Sequence, residues 1–175
     1  MLELFSGIGA VSAALAGHAE VVGAVDQHAG ANATYLHNWH RPPEVWNLAG
    51  VKAAPLAKFD AELWWMSPPC QPFTVRGLQR DIDDPRCAAL LRVLELVRVL
   101  RPPRLALENV PGFLDSNMRI HLRSTLDECG YTLEERVLCP TELGVPMLRR
   151  RYYLCAWRNV EGTPPNPPEA TMAGT

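Results

Sequence analysis

The sequence lacks the features that place a chain in or across a membrane. It has no run of about 18 or more apolar residues, which a membrane-spanning helix requires. It also has no leader in which charged residues precede an apolar stretch. We therefore expect a cytoplasmic protein without a membrane span or a signal peptide. With 175 residues and 47% hydrophobic content, the chain can build the core of one domain.

Cysteine pairs and metal-ligand spacings are lacking as well. The chain has an odd number of cysteines and no CxxC pair: Cys70, Cys87, Cys129, Cys139 and Cys155. Its histidines show no spacing typical of metal ligands. This pattern argues for reduced thiols, against a disulfide framework and against a metal site. We expect every cysteine except Cys70 to be a small residue of the core.

Lysine is scarce, and the net charge is small. Only Lys52 and Lys58 are lysines among the 17 basic residues, so the others are arginines. A net charge of −2 gives no global attraction to nucleic acid. Arginine, however, suits planar, bidentate contacts with phosphates and bases. Local clusters of arginine therefore matter more than the total charge.

Apolar runs alternate with helical patterns along most of the chain. Strands are expected at residues 2–5, 21–25, 45–46, 63–66, 105–107, 132–138 and 151–157, and helices at 10–18, 29–39, 85–100 and 115–129. This alternation predicts an α/β fold with a mostly parallel sheet and an antiparallel edge strand. We expect one domain over residues 1–158. Residues 159–175 are rich in proline and are predicted to form a disordered tail.

A cysteine follows the apolar run Leu63–Met66 within the stretch Ser67-Pro68-Pro69-Cys70-Gln71-Pro72-Phe73-Thr74. The three prolines fix φ near about −65° and remove three backbone donors, so the loop is stiff. Packing alone does not require a cysteine here. The pattern therefore indicates a thiol nucleophile, provided that the rest of the chain supplies it with partners.

Several other chemically capable residues also follow predicted strands: Gly7, Gly9, Asp26 and Glu108. In doubly wound sheets, ligands bind beyond the carboxyl ends of the strands. The glycines allow close approach of a ligand, and an acid after the second strand can accept hydrogen bonds from ribose hydroxyls. The alternative is that Gly7-Ile8-Gly9 forms only a tight turn. Because Ser12 leaves the dinucleotide fingerprint incomplete, S-adenosylmethionine is a better candidate than NAD.

Glu108 and a run of three arginines offer further chemistry. A half-buried carboxyl tends to have a raised pKa and can donate a proton, although Glu108 could instead cap a helix or pair with an arginine. Alternation along a strand would place Arg149 and Arg151 on one face. They could form a solvated basic edge, or they could direct two guanidinium groups at a base or phosphate.

These motifs together resemble those of the cytosine-C5 methyltransferases, in the same order and spacing: Phe5-Ser6-Gly7-Ile8-Gly9, Pro68-Pro69-Cys70-Gln71, Glu108-Asn109-Val110 and Arg149-x-Arg151. The resemblance covers roughly residues 2–158. It is greatest to the branch that methylates transfer RNA, through residues 66–74, Gly77-Leu78-Gln79 and Asp84-Pro85-Arg86. Asp26 indicates the same branch.

The resemblance implies a Rossmann-like domain that depends on S-adenosylmethionine. Cys70 would add to C6 of a cytosine rotated out of its stack, and Glu108 would protonate N3. Arg149 and Arg151 would hold the carbonyl side of the base and the neighbouring phosphate. The active loop would also include Pro69, Gln71 and Asn109.

The cofactor site is implied in the same way. Phe5 would pack on the adenine or the methionine portion, Asp26 would take the ribose hydroxyls, and Leu48 would be a weaker adenine contact. Residues that would border the cofactor are Ser6, Gly7, Ile8, Gly9, Gln27 and Pro68. Two positions depart from the family pattern, because Met147 and Asn47 stand where relatives commonly have a polar and an acidic residue.

The leading hypothesis is an enzyme that transfers a methyl group to C5 of cytosine in DNA or transfer RNA. Relatives carry a target-recognition region after the last matched strand, and this sequence shows none. A second hypothesis is therefore a cofactor-binding half that is inactive alone or needs a separate recognition chain. A third, a thiol hydrolase built on Cys70, lacks a histidine base at a strand end. The expected partner is nucleic acid, with no membrane and no metal.

Overall fold

The computed structural model describes residues 1–74 and 80–158 and contains one six-stranded sheet. The strands are β1 (Leu2–Leu4), β2 (Gly23–Val25), β3 (Leu63–Met66), β4 (Arg104–Asn109), β5 (Thr132–Leu138) and β6 (Arg151–Trp157). Their order is β2-β1-β3-β4-β6-β5. The first four run parallel, whereas β6 is antiparallel to both β4 and β5. The prediction of a mostly parallel α/β sheet with an antiparallel edge is confirmed.

Five α-helices connect the described strands: α1 (Ala10–Ala14), α2 (Ala29–Trp39), α3 (Ala53–Ala57), α4 (Ala88–Leu100) and α5 (Asn117–Glu128). α4 follows the predicted apolar period and buries one side against the sheet, including Leu90, Val93 and Val97. The hydroxyl of Ser116 caps α5 by accepting the Arg119 N–H at 3.1 Å. These helices and the sheet share one continuous core.

The predicted strand at residues 45–46 is wrong. Glu44 alone bridges to Val25, and the chain then turns into a short 3₁₀ helix, Leu48–Gly50. The side chain of Asn47 causes this turn, because its Oδ1 accepts the Ala49 N–H at 3.0 Å. Val45 is 67% exposed, so a strand here would have little apolar surface to bury.

Other element bounds differ for local reasons. α1 ends four residues earlier than predicted, and Gly17 in the loop after it has a φ of 80°. The predicted helix from Pro85 starts as a 3₁₀ turn, Pro85–Cys87, because Asp84 accepts the Arg86 N–H and holds the chain in that turn. α3 was not predicted.

The cysteines divide by burial. Cys87, Cys129 and Cys139 are buried, as predicted, but the prediction for Cys155 is wrong because this side chain is exposed. Its neighbours in β6, Leu154 and Ala156, are buried on the opposite face of the strand. Alternation thus directs Cys155 to the other face of the sheet from Leu154 and Ala156.

Some predictions concern segments outside the described residues: the tail 159–175 and the stretch Gly77-Leu78-Gln79. Within residues 1–74 and 80–158, no helix is long and apolar enough to cross a membrane. The same residues contain no cluster of His, Cys, Asp and Glu that could hold a metal ion.

Candidate active site

A cavity of about 770 Å³ lies at the carboxyl ends of β1, β3 and β4, beside the start of β6. It gathers most of the predicted site residues: Phe5, Gly7, Asp26, Gln27, Leu48, Pro68, Pro69, Cys70, Gln71, Glu108, Asn109, Arg149 and Arg151. Parallel strands bring these residues together because their carboxyl ends share one sheet edge. The predicted nucleophile and the predicted cofactor residues thus line a single space.

Cys70 is held on a short turn directly after β3. Its carbonyl oxygen accepts the N–H of Phe73 at 3.0 Å and closes the 3₁₀ turn Gln71–Phe73. Before the turn, the Ser67 N–H bonds to the carbonyl oxygen of Leu4 at 3.3 Å, so the sheet ladder continues up to the prolines. The thiol is partly exposed to the cavity. A nucleobase could therefore reach the Cys70 thiol without movement of the core.

Glu108 and Arg151 form an ion pair at the wall of the cavity, with 3.0 Å between Oε1 and Nε. The sequence left open whether Glu108 pairs with an arginine or serves the site, and the structure shows that it pairs with Arg151 and lines the cavity. Burial raises the pKa of Glu108, and the positive charges of Arg151 and Arg149 oppose that shift. Desolvation has the larger effect, so the carboxyl holds its proton to a higher pH than an exposed glutamate.

The three arginines occupy different positions. Arg151 is the first residue of β6, and Arg149 lies in the preceding loop and also lines the cavity. Arg150 lies outside the cavity, and its carbonyl oxygen accepts a hydrogen bond from the Arg151 side chain at 2.7 Å. The expectation that Arg149 and Arg151 face one site therefore agrees with the structure, although only Arg151 belongs to the strand.

Asp26 organises the backbone at the other end of the cavity. Its Oδ2 accepts the N–H of Gly7 at 2.9 Å, and its Oδ1 accepts the N–H of His28 at 2.8 Å. A carboxylate has about four acceptor positions, so each oxygen can accept a further hydrogen bond. Asp26 can thus fix the glycine loop and still bind two hydroxyls of a ligand.

The structure does not place three of the predicted cofactor residues on the cavity wall: Ser6, Ile8 and Gly9. Ile8 is 54% exposed. The Ser6 hydroxyl is buried and makes no hydrogen bond to the described residues. Gly9 is enclosed by α2, since an added Cβ would lie 2.2 Å from Trp39 Nε1 and 2.9 Å from Tyr35 Cε2. Gly9 therefore serves helix packing rather than ligand approach.

Several cavity residues were not among the predicted site residues: His28, Trp46, Asn47, Ala49, Ser67, Pro85, Arg86, Ala89 and Val110. Trp46 packs against Phe59 at a centroid distance of 6.0 Å and offers an aromatic surface to a ligand. The mistaken strand at residues 45–46 concealed it. Asn47, which the sequence analysis named only as a departure from the family pattern, lines the cavity and caps the short helix that follows it.

Arg86 is the most informative of these additional cavity residues. Its Nε and Nη2 bind the two carboxylate oxygens of Asp84 at 2.8 and 2.7 Å. Asp84 is only 4% exposed, and its hydrogen bonds to Arg86 lower its pKa to about 2. The pair holds a guanidinium group at the wall that also carries Cys70. The Asp84-Pro85-Arg86 segment, which the sequence analysis related to the transfer-RNA branch, thus places Pro85 and Arg86 on the cavity wall.

The chain matches one protein family over almost its whole length. The family model for the C-5 cytosine-specific DNA methylases matches residues 1–172. The chain belongs to this family. A bovine tRNA (cytosine(38)-C(5))-methyltransferase is 40% identical over 161 residues, which cover 89% of this chain and 41% of that protein. A DNA (cytosine-5)-methyltransferase of Dictyostelium discoideum is 35% identical, with 91% and 44% covered.

Solved structures of similar proteins confirm the methylase fold. The crystal structure of the S. pombe Dnmt2 methyltransferase matches with a TM-score of 0.80 and 37% identity, covering 93% of this chain and 51% of that one. The chain thus spans about half the length of the relatives it matches. The resemblance to cytosine-C5 methyltransferases that the sequence motifs indicated is confirmed.

Methylases of this family generally depend on S-adenosylmethionine. The residues present fit this cofactor. Small-molecule sites typically measure about 300–1,000 Å³, and this cavity lies within that range. Asp26 keeps acceptor positions for ribose hydroxyls, and Phe5, Trp46 and Leu48 supply an apolar wall beside it.

Proposed function

We propose that this chain carries the catalytic residues for methyl transfer to C5 of a cytosine in nucleic acid, and that transfer RNA is its preferred substrate. The observation that carries the proposal is the common cavity of Cys70, the Glu108–Arg151 pair and Asp26. A thiol, a carboxyl group with a raised pKa and a hydroxyl-binding carboxylate are the groups that this reaction requires. The name of the bovine relative supports the choice of transfer RNA.

In the first step, the sulfur of Cys70, after losing its proton, forms a bond to C6 of the cytosine. Electron density moves through the ring toward N3, where Glu108 delivers its proton. C5 thereby becomes nucleophilic. Burial raises the pKa of Glu108, which favours the protonated form that this step uses. Arg151, bound to the same carboxyl group, would hold the base in place.

When bound, S-adenosylmethionine supplies the methyl group that C5 accepts. A base then removes the proton from C5, the bond between Cys70 sulfur and C6 breaks, and Glu108 recovers its proton from N3. Asp26 and Gly7 would orient the cofactor through the ribose, with Phe5, Gln27 and Pro68 beside it. Pro69, Gln71 and Asn109 would hold the loop that presents the thiol.

A second candidate is a function in cofactor binding alone. The chain would bind S-adenosylmethionine at the Asp26 and Phe5 part of the cavity and would depend on a separate recognition chain for its substrate. In that case Asp26 and Phe5 would function in the isolated chain, whereas Cys70 would react only in the presence of the recognition chain.

Covalent trapping separates the two candidates. The chain is incubated with S-adenosylmethionine and either transfer RNA or DNA that contains 5-fluorocytosine. Fluorine at C5 cannot leave as a proton does, so an adduct with Cys70 would persist and would be seen by mass spectrometry. We expect an adduct with transfer RNA that is absent in Cys70→Ala. An adduct only with DNA would refute the choice of RNA.

The absence of any adduct would refute catalysis by the isolated chain and leave the cofactor-binding candidate. Calorimetry with S-adenosylmethionine tests that candidate directly. We expect Asp26→Ala to weaken cofactor binding and Cys70→Ala to leave it unchanged. Equal affinity of the wild type and Asp26→Ala would show that the ribose site lies elsewhere.

A further inference from the structure

Three aromatic side chains form a stack beneath the candidate active site. The rings of Phe73 and Phe113 meet edge to face, with centroids 4.9 Å apart and planes at 82°. Phe113 also contacts Tyr152, with centroids 5.2 Å apart and planes at 40°. Phe113 and Tyr152 are fully buried and Phe73 nearly so. Contacts between aromatic rings favour particular distances and angles, and they also bury apolar surface.

Each member of this stack is close in sequence to one of the reactive groups. Phe73 ends the turn that Cys70 begins, and its N–H donates to the Cys70 carbonyl oxygen at 3.0 Å. Phe113 lies in the 3₁₀ segment that directly follows β4, the strand of Glu108. Tyr152 is the residue after Arg151 in β6. The stack therefore connects three segments that are distant in sequence.

Gly112 brings two of these segments into direct backbone contact. A Cβ added to Gly112 would lie 2.2 Å from the carbonyl oxygen of Phe73 and 3.4 Å from its carbonyl carbon. Because both are backbone atoms, no side-chain rotation could relieve the overlap. Any larger residue at position 112 must displace the turn that holds Cys70.

Tyr152, the third member of the stack, is held in place by a hydrogen bond of its hydroxyl group. The hydroxyl of Tyr152 donates to Oε1 of Glu135 at 2.5 Å, and Arg119 binds the same carboxylate at 2.7 and 2.8 Å. Tyr152 is also paired with Asn109 in the antiparallel ladder between β4 and β6. The tyrosine ring therefore cannot shift without disturbing β6 and, with it, Arg151.

We infer that the stack of Phe73, Phe113 and Tyr152, closed by the contact of Gly112 with Phe73, sets the relative positions of Cys70, Glu108 and Arg151. Gly112 and Phe113 are then positioning residues, since neither lines the cavity. This inference rests on the proposed function. A displacement of about 1 Å can reduce a reaction rate by about 100-fold, so small shifts of the stack would have large effects.

Gly112→Ala tests the inference, first by a readout that needs no substrate. Hydrogen exchange of the Phe73 amide, followed by NMR, reports on the bond to the Cys70 carbonyl oxygen. We expect faster exchange at Phe73 in Gly112→Ala, while amides at the centre of α4 keep their protection. In covalent trapping at saturating transfer RNA, we expect a rate at least about 100-fold lower with unchanged affinity for S-adenosylmethionine.

Phe113→Leu supplies a second variant of similar volume in case Gly112→Ala does not fold, and we expect the same two changes. Gly50→Ala is the matched control, because a Cβ there would meet nothing within 4 Å. Leu126→Ala, fully buried in α5, controls for general loss of stability. We expect both controls to keep the wild-type exchange at Phe73 and the wild-type trapping rate at temperatures well below unfolding.

Unchanged exchange of the Phe73 amide in Gly112→Ala and Phe113→Leu would overturn the inference. Faster exchange together with an unchanged trapping rate would also overturn it, since the stack would then be only a part of the core. If the wild type forms no adduct, the proposed function fails for the isolated chain. The exchange at Phe73 then decides the inference by itself.

Discussion

Asn109 donates a hydrogen bond from Nδ2 to the carbonyl oxygen of Pro68 at 3.2 Å, and this bond joins the end of β4 to the loop that carries Cys70. The Oδ1 of the same amide accepts the N–H of Val110 at 2.9 Å. Asn109 is 2% exposed and its bond to Pro68 is buried, so water cannot replace that bond. One side chain thus satisfies two backbone groups, one on each side of the site.

Asn109→Ala should therefore destabilise the fold. It leaves the Pro68 carbonyl and the Val110 N–H without this partner in a buried place, at a cost of about 1–3 kcal/mol. Urea unfolding followed by circular dichroism measures the change. Asn117→Ala is the control, because the Asn117 side chain is exposed, and we expect an effect within about 0.5 kcal/mol. Equal effects of the two substitutions would show that the bond to Pro68 contributes no stability.

Glu108→Gln should show whether the reaction needs the acidic proton of Glu108 or only the size of its side chain. The amide keeps the size of the side chain but has no acidic proton for N3, and we expect trapping to slow by about 10²–10⁴-fold. Calorimetry with S-adenosylmethionine should give the wild-type affinity. Trapping at the wild-type rate would exclude Glu108 as the proton donor.

Glu108 should also affect how the stability of the fold changes with pH. Burial raises the pKa of Glu108, so between the unfolded and the folded pKa the folded chain binds more protons than the unfolded chain. This carboxyl therefore contributes stability that is present below the unfolded pKa and is lost as pH rises through the folded pKa. Unfolding by urea as a function of pH should show this loss in the wild type and not in Glu108→Gln.

Residues at strand ends were the most predictable part of the site. Strands β3, β5 and β6 were predicted with the bounds that the structure shows, because their apolar runs and alternation match the period of a strand. Once these strands lie parallel or antiparallel in one sheet, Cys70, Glu108 and Arg151 must share an edge. Topology therefore predicted that these groups gather at one edge of the sheet, and the family resemblance supplied the roles proposed for them.

The contacts between segments could not be predicted in this way. Trp46 and Arg86 enter the cavity through short turns whose direction depends on the side chains of Asn47 and Asp84. Gly9 fits a ligand-binding motif, yet its position is set by the tryptophan of a helix thirty residues away. The exposure of Cys155 depends on which part of the sheet face a helix covers. All of these features depend on tertiary contacts. The local pattern of apolar residues gives no information on such contacts.

The carboxylate of Asp84 should stabilise the fold in a defined range of pH. Hydrogen bonds from Arg86 lower its pKa from 3.8 to about 2. A lowered pKa gives stability that is present above the unfolded pKa and is lost as pH falls through the folded value. Asp84→Asn should therefore be less stable than the wild type at neutral pH, and the difference should shrink between pH 3.8 and about 2.

Urea unfolding at a series of pH values measures this difference. Asp83→Asn is the matched control, because the neighbouring Asp83 side chain is exposed and has no ion pair among the described residues. We expect its difference from the wild type to stay near zero over the whole range. A constant difference between Asp84→Asn and the wild type down to pH 2 would contradict the role of the ionised pair.

Gly9→Ala and Gly7→Ala should show that the two glycines of the first loop have different functions. Both have positive φ, 84° and 53°, so an alanine at either position costs about 1–3 kcal/mol of backbone strain. At Gly9 alone the new methyl group would also collide with Trp39, which adds about 1–3 kcal/mol. At Gly7 it would meet nothing within 4 Å. We therefore expect Gly9→Ala to lower the urea midpoint more than Gly7→Ala does.

Combining Gly9→Ala with Trp39→Ala tests the steric part of this cost. Removal of the indole relieves the two shortest contacts of the new methyl group and leaves only the one to Tyr35 Cε2 at 2.9 Å. The double variant should therefore be more stable than the sum of the single effects predicts. Gly7→Ala combined with Trp39→Ala should give additive effects, since Gly7 has no such contact. Additive effects in both pairs would mean that Gly9 is needed for its backbone conformation and not for its contact with α2.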